Sequence, residues 1–196
     1  MIEIFQQISA IQWFATLFSL IYIAFAVKNN PICWVFGIIG CGLWAYADFT
    51  ELNLKFDGIL QIFYVIMGFV GLYLWKYGDN GNELAIQRLN LFQHGLILVL
   101  GFALSFLLGF IGENYLDTDL AYLDSITTSF SIIATILLVK RVLGNWIYWI
   151  VFDVIYIYIY IKQEGYLFAI IMGIYIVMAI IGYYSWRKEI ARLSIQ

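Results

Sequence analysis

The sequence is poor in proline, histidine, cysteine and charge: one, one, two and 12% of 196 residues, respectively. Each scarcity excludes something. With Pro31 as the single proline, long helices are permitted almost everywhere. His94 is alone and cannot build a histidine metal site. Cys33 and Cys41 lie eight positions apart in one apolar stretch and read as small apolar residues rather than as disulfide or metal ligands. A net charge of −3 and a pI near 5.0 argue against nucleic acid as a partner. There is no P-loop, no H-E-x-x-H, no G-x-S-x-G and no acid cluster suited to a metal. An ATP-driven pump within this chain, an enzyme and a bound cofactor therefore have no motif to rest on. The opening MIEIFQQISAIQW lacks a basic n-region, so the first apolar run reads as a permanent span rather than a cleaved signal.

What is abundant is apolar surface: 64% hydrophobic residues and a mean hydropathy of +0.90. A helical span needs about 20 mostly apolar residues. Polar breaks divide the chain into seven such runs: 4–27, 31–49, 59–77, 89–111, 121–139, 146–161 and 166–186. The segments ELNLKFDG, GDNGNE and GENYLDTDL read as loops and RKEIARLSIQ as a short tail. A transmembrane barrel would need alternating polarity over many shorter strands, and that pattern is missing. The expected partner is the lipid bilayer.

Lysine and arginine set the orientation. Seven spans put Lys28, Lys76, Arg88, Lys140, Arg141, Arg187, Lys188 and Arg192 on one side, and Lys55 and Lys162 on the other. This predicts a multi-pass inner-membrane protein with its N-terminus outside and its C-terminus in the cytoplasm. The outer loops carry Glu51, Asp57, Glu113, Asp117 and Asp119, a field that would concentrate cations.

The chain also repeats itself. Asn30-x-x-x-Trp34 recurs as Asn145-x-x-x-Trp149, 115 positions on. Tyr64, Gly71, Tyr73 and Trp75 recur as Tyr175, Gly182, Tyr184 and Trp186, 111 positions on. The expected fold class is thus an all-α membrane protein of seven transmembrane helices. Two parallel three-helix repeats, residues 1–80 and 116–196, are joined by a linker helix within 81–115. Parallel repeats are a transporter architecture, with the site between the halves near the midplane.

Polar and aromatic residues at helical spacing mark candidate site faces. Trp146, Trp149, Asp153 and Tyr156 share one face of the sixth span. A carboxylate at that depth costs roughly 3 kcal/mol, and no basic residue of the spans lies deep enough to pair with Asp153. A flat organic cation would suit it; coordinating hydroxyls, a protonated carboxyl or an internal pairing role are the alternatives. Gln61, Tyr64, Gly68, Gly71 and Trp75 line up on the third span. Asp124, Thr127, Thr128, Ser131 and Thr135 share a side of the fifth, either as interhelical hydrogen bonds or as the lining of a path. Trp34, Gly37, Cys41, Trp44 and Asp48 align on the second. Trp75 and Trp186, each beside a basic residue, read as interfacial belt residues, and Gly68 and Gly71 as helix-packing positions. His94 reads as a hydrogen-bonded structural residue.

Asn145-Trp146-x-x-Trp149, the preceding LDSITTSFSIIATILLVKR, and GLYLW and GYYSW closing the third and seventh spans together resemble the Pnu-type vitamin transporters. The resemblance runs from Trp13 to Arg187. It implies a 3+1+3 helix core like that of the SWEET sugar transporters and a homotrimer. It also implies facilitated diffusion by alternating access of a small cationic vitamin, which phosphorylation traps inside the cell. Carried over by position, Trp146 and Trp149 would clamp the ligand, and Gln61, with Tyr64 beside it, would contact it. Asp153 stands where some nicotinamide riboside transporters have Asn. The substrate is then nicotinamide riboside or thiamine, since both rings are flat cations. A ligand-binding membrane receptor is the remoter alternative.

Overall fold

A computed structural model of the chain describes residues 8–52, 54–115, 121–162 and 166–193. These residues form seven α-helices: α1 Ala10–Val27, α2 Cys33–Thr50, α3 Lys55–Tyr77, α4 Leu91–Tyr115, α5 Ala121–Val139, α6 Asn145–Lys162 and α7 Tyr166–Leu193. All but α6 are long and apolar enough to cross a bilayer. The 18 residues of α6 include Asn145, Asp153, Lys162 and four tyrosines, which dilute its hydropathy without shortening it. The chain is an all-helical, multi-pass membrane protein.

The structure redraws several edges. ELNLKFDG is not a loop throughout, because α3 begins at Lys55. Of GENYLDTDL, the first four residues finish α4, and the other five, including Asp117 and Asp119, lie outside the described residues. The basic tail stays helical to Leu193, since Arg, Lys, Glu, Ala and Leu are all good helix formers. In GDNGNE, Asn80 (φ 50°) and Gly81 (φ 90°) occupy the left-handed region between the bridged pair Asp79 and Asn82. Asn-Gly suits such a turn because both central residues need positive φ.

Two compact units divide the chain, residues 1–85 and 86–196. In the first, α2 packs against α1 and α3. Ser9 Oγ and Gln12 Nε2 both donate to Glu51 Oε2, at 2.6 and 3.1 Å, tying the start of α1 to the end of α2. In the second, α5 packs against α4 and α6, and α6 against α7. The core of this unit joins Phe130, Ala134 and Leu137 of α5 to Tyr148 and Phe152 of α6. Phe130 and Phe152 stack with centroids 4.2 Å apart.

The turns that open α2 and α6 carry the same hydrogen bonds 112 positions apart. Asn29 N donates to Ala26 O and Arg141 N to Leu138 O, both at 2.9 Å. Asn29 (φ 55°) and Arg141 (φ 51°) share a left-handed backbone, which ends the preceding helix. Cys33 N then donates to Asn30 O, and Asn145 N to Val142 O, at 3.0 and 3.1 Å. Side-chain contacts keep this register to within one position. Trp34 lies edge-on to Trp75 (5.3 Å, 85°) and Trp146 edge-on to Trp186 (5.4 Å, 85°). Phe18 stacks on Phe36 as Phe130 stacks on Tyr148.

The 115-position pairing of Trp34 with Trp149 is therefore wrong. Trp146 takes the place of Trp34, and Asn145 that of Cys33. The match between Asn30 and Asn145 misled because the two do different work. Asn30 Oδ1 accepts from Ile32 N at 3.0 Å ahead of its helix; Asn145 is the first residue inside its helix and donates from Nδ2 to Val142 O at 2.7 Å. The belt reading of Trp75 and Trp186 also fails. Both are fully buried, because each edge-on tryptophan partner encloses them. Glycine makes room on the other side. A Cβ on Gly71 would strike the Trp34 ring, and one on Gly182 would come within 2.7 Å of Trp146 Cε2.

Candidate functional site

The face of α6 that carries Asp153 splits in two. Trp146 is fully buried, closed by Gly182 and Trp186, and its indole Nε1 has no partner. It offers no free ring face. Trp149, three residues on, is half-buried and rests against the α5–α6 core. In the 112-position register its counterpart is Gly37, which a Tyr22 ring presses so closely that a Cβ there would sit 2.9 Å from Tyr22 Cδ2. The counterpart of Tyr22 is Ala134. Bulk on α1 in the first unit is thus exchanged for bulk on α6 in the second.

Asp153 is 2% exposed and makes no hydrogen bond or ion pair with a described residue. Its neighbour Phe152 is locked into the core stack. One turn on, Tyr156 OH lies 3.3 Å from Ser131 Oγ, a hydrogen bond from α6 to α5. Tyr156 stacks on Tyr160 (6.0 Å) and Tyr160 on Phe168 (5.4 Å), so aromatic rings continue from the acid along α6. The sequence reading missed Tyr160 and Phe168; the i, i+4 spacing of the tyrosines was the available signal.

The hydroxyls of α5 separate into kinds. Thr127 Oγ1 donates back to Leu123 O and Asp124 O, and Thr135 Oγ1 to Ser131 O. These bonds serve their own helix. Ser131 reaches Tyr156, and Thr128 is half-buried with no hydrogen bond to a described residue. Ser129, not expected from the sequence, is fully buried with an unpartnered Oγ. Asn145 is fully buried and keeps Oδ1 without a partner. A buried polar atom left unpaired costs about 1–3 kcal/mol, so Asp153, Ser129, Asn145 and Trp146 together form an expensive, polar interior in the second unit.

The remaining candidates belong to the first unit. Gln61 is half-buried on α3 with no hydrogen bond to a described residue. Tyr64 is half-buried, its ring edge-on to Phe63 at 5.6 Å. Trp34 is buried between Tyr22 and Trp75, with Nε1 unpartnered. Asp48 is also buried, with Oδ2 unpartnered. His94 fulfils its structural expectation: Nδ1 lies 3.1 Å from Tyr148 OH, and the rings stack at 5.9 Å. Among the described residues no group of three or more His, Cys, Asp or Glu could hold a metal ion.

The chain is similar to proteins of known role. It is 25% identical over 192 residues to the nicotinamide riboside transporter PnuC of Neisseria mucosa, spanning 92% of this chain and 73% of that protein. It is 22% identical over 170 residues to the PnuC of Haemophilus influenzae, spanning 85% and 74%. Its fold is similar to the crystal structure of the vitamin B3 transporter PnuC, with a TM-score of 0.78, 22% identity and coverage of 97% of this chain and 86% of that one. The nicotinamide mononucleotide transporter family model matches residues 9–188. The chain belongs to that family.

Proposed function

We propose that the chain carries nicotinamide riboside across the inner membrane by facilitated diffusion with alternating access, and that phosphorylation inside the cell traps the product. The observation that carries this reading is Asp153, a buried carboxylate unpaired among the described residues. It lies one turn beyond the half-buried ring of Trp149. A pyridinium stacked on Trp149 would gain cation–π energy, about 2 kcal/mol when desolvated, and would neutralise the acid. Ser131, Tyr156 and Thr128 would meet ribose hydroxyls; within the first unit, taken by itself, Gln61 with Tyr64 keeps the ligand-contacting role that the family resemblance implies. Trp146 and Asn145 contribute buried polar atoms beneath Trp149, and Trp34 plays the matching part in the first unit. The two relatives named as nicotinamide riboside transporters support the substrate.

The same reading takes α1–α3 and α5–α7 as two three-helix repeats with α4 as the linker, the SWEET-like 3+1+3 order. The domains are then 1–80, 81–115 and 116–196. Support comes from the turn contacts that recur 112 positions apart and from the tryptophan pairs, whose members recur 112 and 111 positions apart. The N-terminus lies outside in this reading, the orientation that the Lys and Arg distribution favours. A homotrimer would cover part of the exposed apolar surface of α4, where Phe92, Val99 and Phe106 lie open. No step forms or breaks a covalent bond on this chain.

Uptake tests the reading. Cells without their own vitamin transporters, expressing this chain, should accumulate labelled nicotinamide riboside. Thiamine is the second reading, favoured by a carboxylate at 153 that suits a thiazolium equally well. Entry of thiamine but not nicotinamide riboside would establish it. Tight binding without entry of either would instead mark a receptor.

A further inference from the structure

We propose a second binding site, for a phosphate-bearing anion, at the Lys- and Arg-rich end of the second unit. A cavity of about 330 Å³ opens there, lined in part by Arg88, His94, Gly144, Ile147, Tyr183 and Arg187. That volume is at the lower end of ligand cavities, about 300–1,000 Å³. Ile147 precedes Asp153 by six residues of α6, about 9 Å along the axis, so the cavity lies nearer the start of the helix than the vitamin site does.

The cavity is built rather than incidental. Gln87 N donates to Arg141 O at 2.8 Å, and Leu143 N donates to Gln87 O at 2.9 Å. These two bonds fasten the segment bearing Arg88 to the turn between α5 and α6. Gly144 in that turn lets the His94 ring approach: a Cβ there would lie 2.6 Å from His94 Cε1. His94 Nδ1 is engaged by Tyr148 OH; Nε2 bonds to no described residue and is a donor in the tautomer, or the imidazolium, that carries its proton there.

The chemistry of the lining has one sign. Neither the Arg88 nor the Arg187 guanidinium makes an ion pair or hydrogen bond with a described residue, and the Tyr183 hydroxyl makes none either. No carboxylate lines the cavity. Two arginines in fork geometry, an imidazole N–H and a phenol are donors matched to a tetrahedral oxyanion. Such basic pockets at the end of membrane helices take lipid headgroup phosphates, and a soluble phosphomonoester presents the same oxygens. Ile147, which lines the cavity, is followed on α6 by exposed Val151 and Val154 at helical spacing, an apolar track along which an acyl chain would lie.

Native mass spectrometry of the full chain, released from detergent, tests this with dioleoyl phosphatidylglycerol, dioleoyl phosphatidylcholine, AMP and adenosine as probes. Phosphatidylglycerol or AMP should bind at least tenfold more tightly than its zwitterionic or unphosphorylated counterpart. Arg88→Gln with Arg187→Gln should remove that preference, and the paired Arg→Lys variant should keep part of it. Preference for phosphatidylglycerol without competition from AMP identifies a lipid; binding of AMP identifies a soluble phosphate. Both arginines are exposed, so the variants should keep wild-type circular dichroism. The proposal is overturned if neither phosphate probe is preferred or if the double Gln variant binds as wild type. It also fails if Lys140→Gln with Lys188→Gln, elsewhere on the same charged side, costs as much.

Discussion

Trp146 meets Trp186 edge-on, ring centroids 5.4 Å apart at 85°, and Gly182 closes the face that Trp186 leaves open. The first prediction follows from that closure. Gly182→Ala puts a methyl 2.7 Å from the Trp146 ring, and neither fully buried tryptophan has free space to retreat into. Overpacking of this kind costs about 1–3 kcal/mol. Thermal unfolding in detergent should drop by several degrees, and Gly71→Ala should do the same through Trp34. An unchanged midpoint for both would mean that the tryptophan pairs are loosely packed.

Trp149 should behave differently from Trp146. Its ring is half-buried, so Trp149→Ala leaves a smaller cavity and removes a stacking surface. We expect the affinity for nicotinamide riboside to fall about 5- to 30-fold, the equivalent of about 1–2 kcal/mol, with helical content intact. Isothermal titration of wild type and variant gives the number. Equal affinities would remove Trp149 from the site.

Asp153→Asn separates charge from shape. The amide keeps the volume and removes a buried ionisable group that has no partner among the described residues. The ligand-free variant should be at least as thermostable as wild type, because an uncompensated buried acid is a cost. Affinity for cationic nicotinamide riboside should fall about tenfold, while the uncharged vitamin nicotinamide is affected less than twofold. A loss common to both ligands would show that Asp153 acts through packing rather than charge.

Much of this was legible in the sequence, for physical reasons that differ by residue. Polar breaks in an apolar chain are strong signals, and α5 runs over Ala121–Val139 as the hydropathy requires. Asp153 stood out because a single acid in a long apolar run has few innocuous explanations. Side-chain partners were less accessible. Trp75 and Trp186 sit beside Lys76 and Arg187, which imitates a membrane-interface signature, yet a tryptophan from the neighbouring helix buries each. The repeat register was mistaken by three positions, close to one helical turn, because Trp146 and Trp149 share a face and either satisfies a helical pattern. The turn hydrogen bonds at Asn29 and Arg141 and the matching ring contacts distinguish them. The exchange of Tyr22 and Gly37 for Ala134 and Trp149 is invisible until that register is known.

The Ser131–Tyr156 hydrogen bond, 3.3 Å between hydroxyls, joins α5 to α6 beside the acid. Ser131→Ala, Tyr156→Phe and the double variant form a cycle. Its coupling free energy in thermal or chemical unfolding should be about 1 kcal/mol. If the hydroxyls also meet the ligand, each single variant should weaken nicotinamide riboside binding by severalfold. A coupling of zero would mean that the two hydroxyls act independently.

The central claim is that this chain is a passive carrier for nicotinamide riboside, and flux through purified protein in liposomes tests it most directly. With no ATP and no sodium, proton or voltage gradient, labelled nicotinamide riboside should enter until inside and outside concentrations are equal. Unlabelled nicotinamide riboside preloaded inside should speed that entry. Flux that appears only when an ion gradient is imposed, or that is seen with thiamine and not with nicotinamide riboside, would contradict the account.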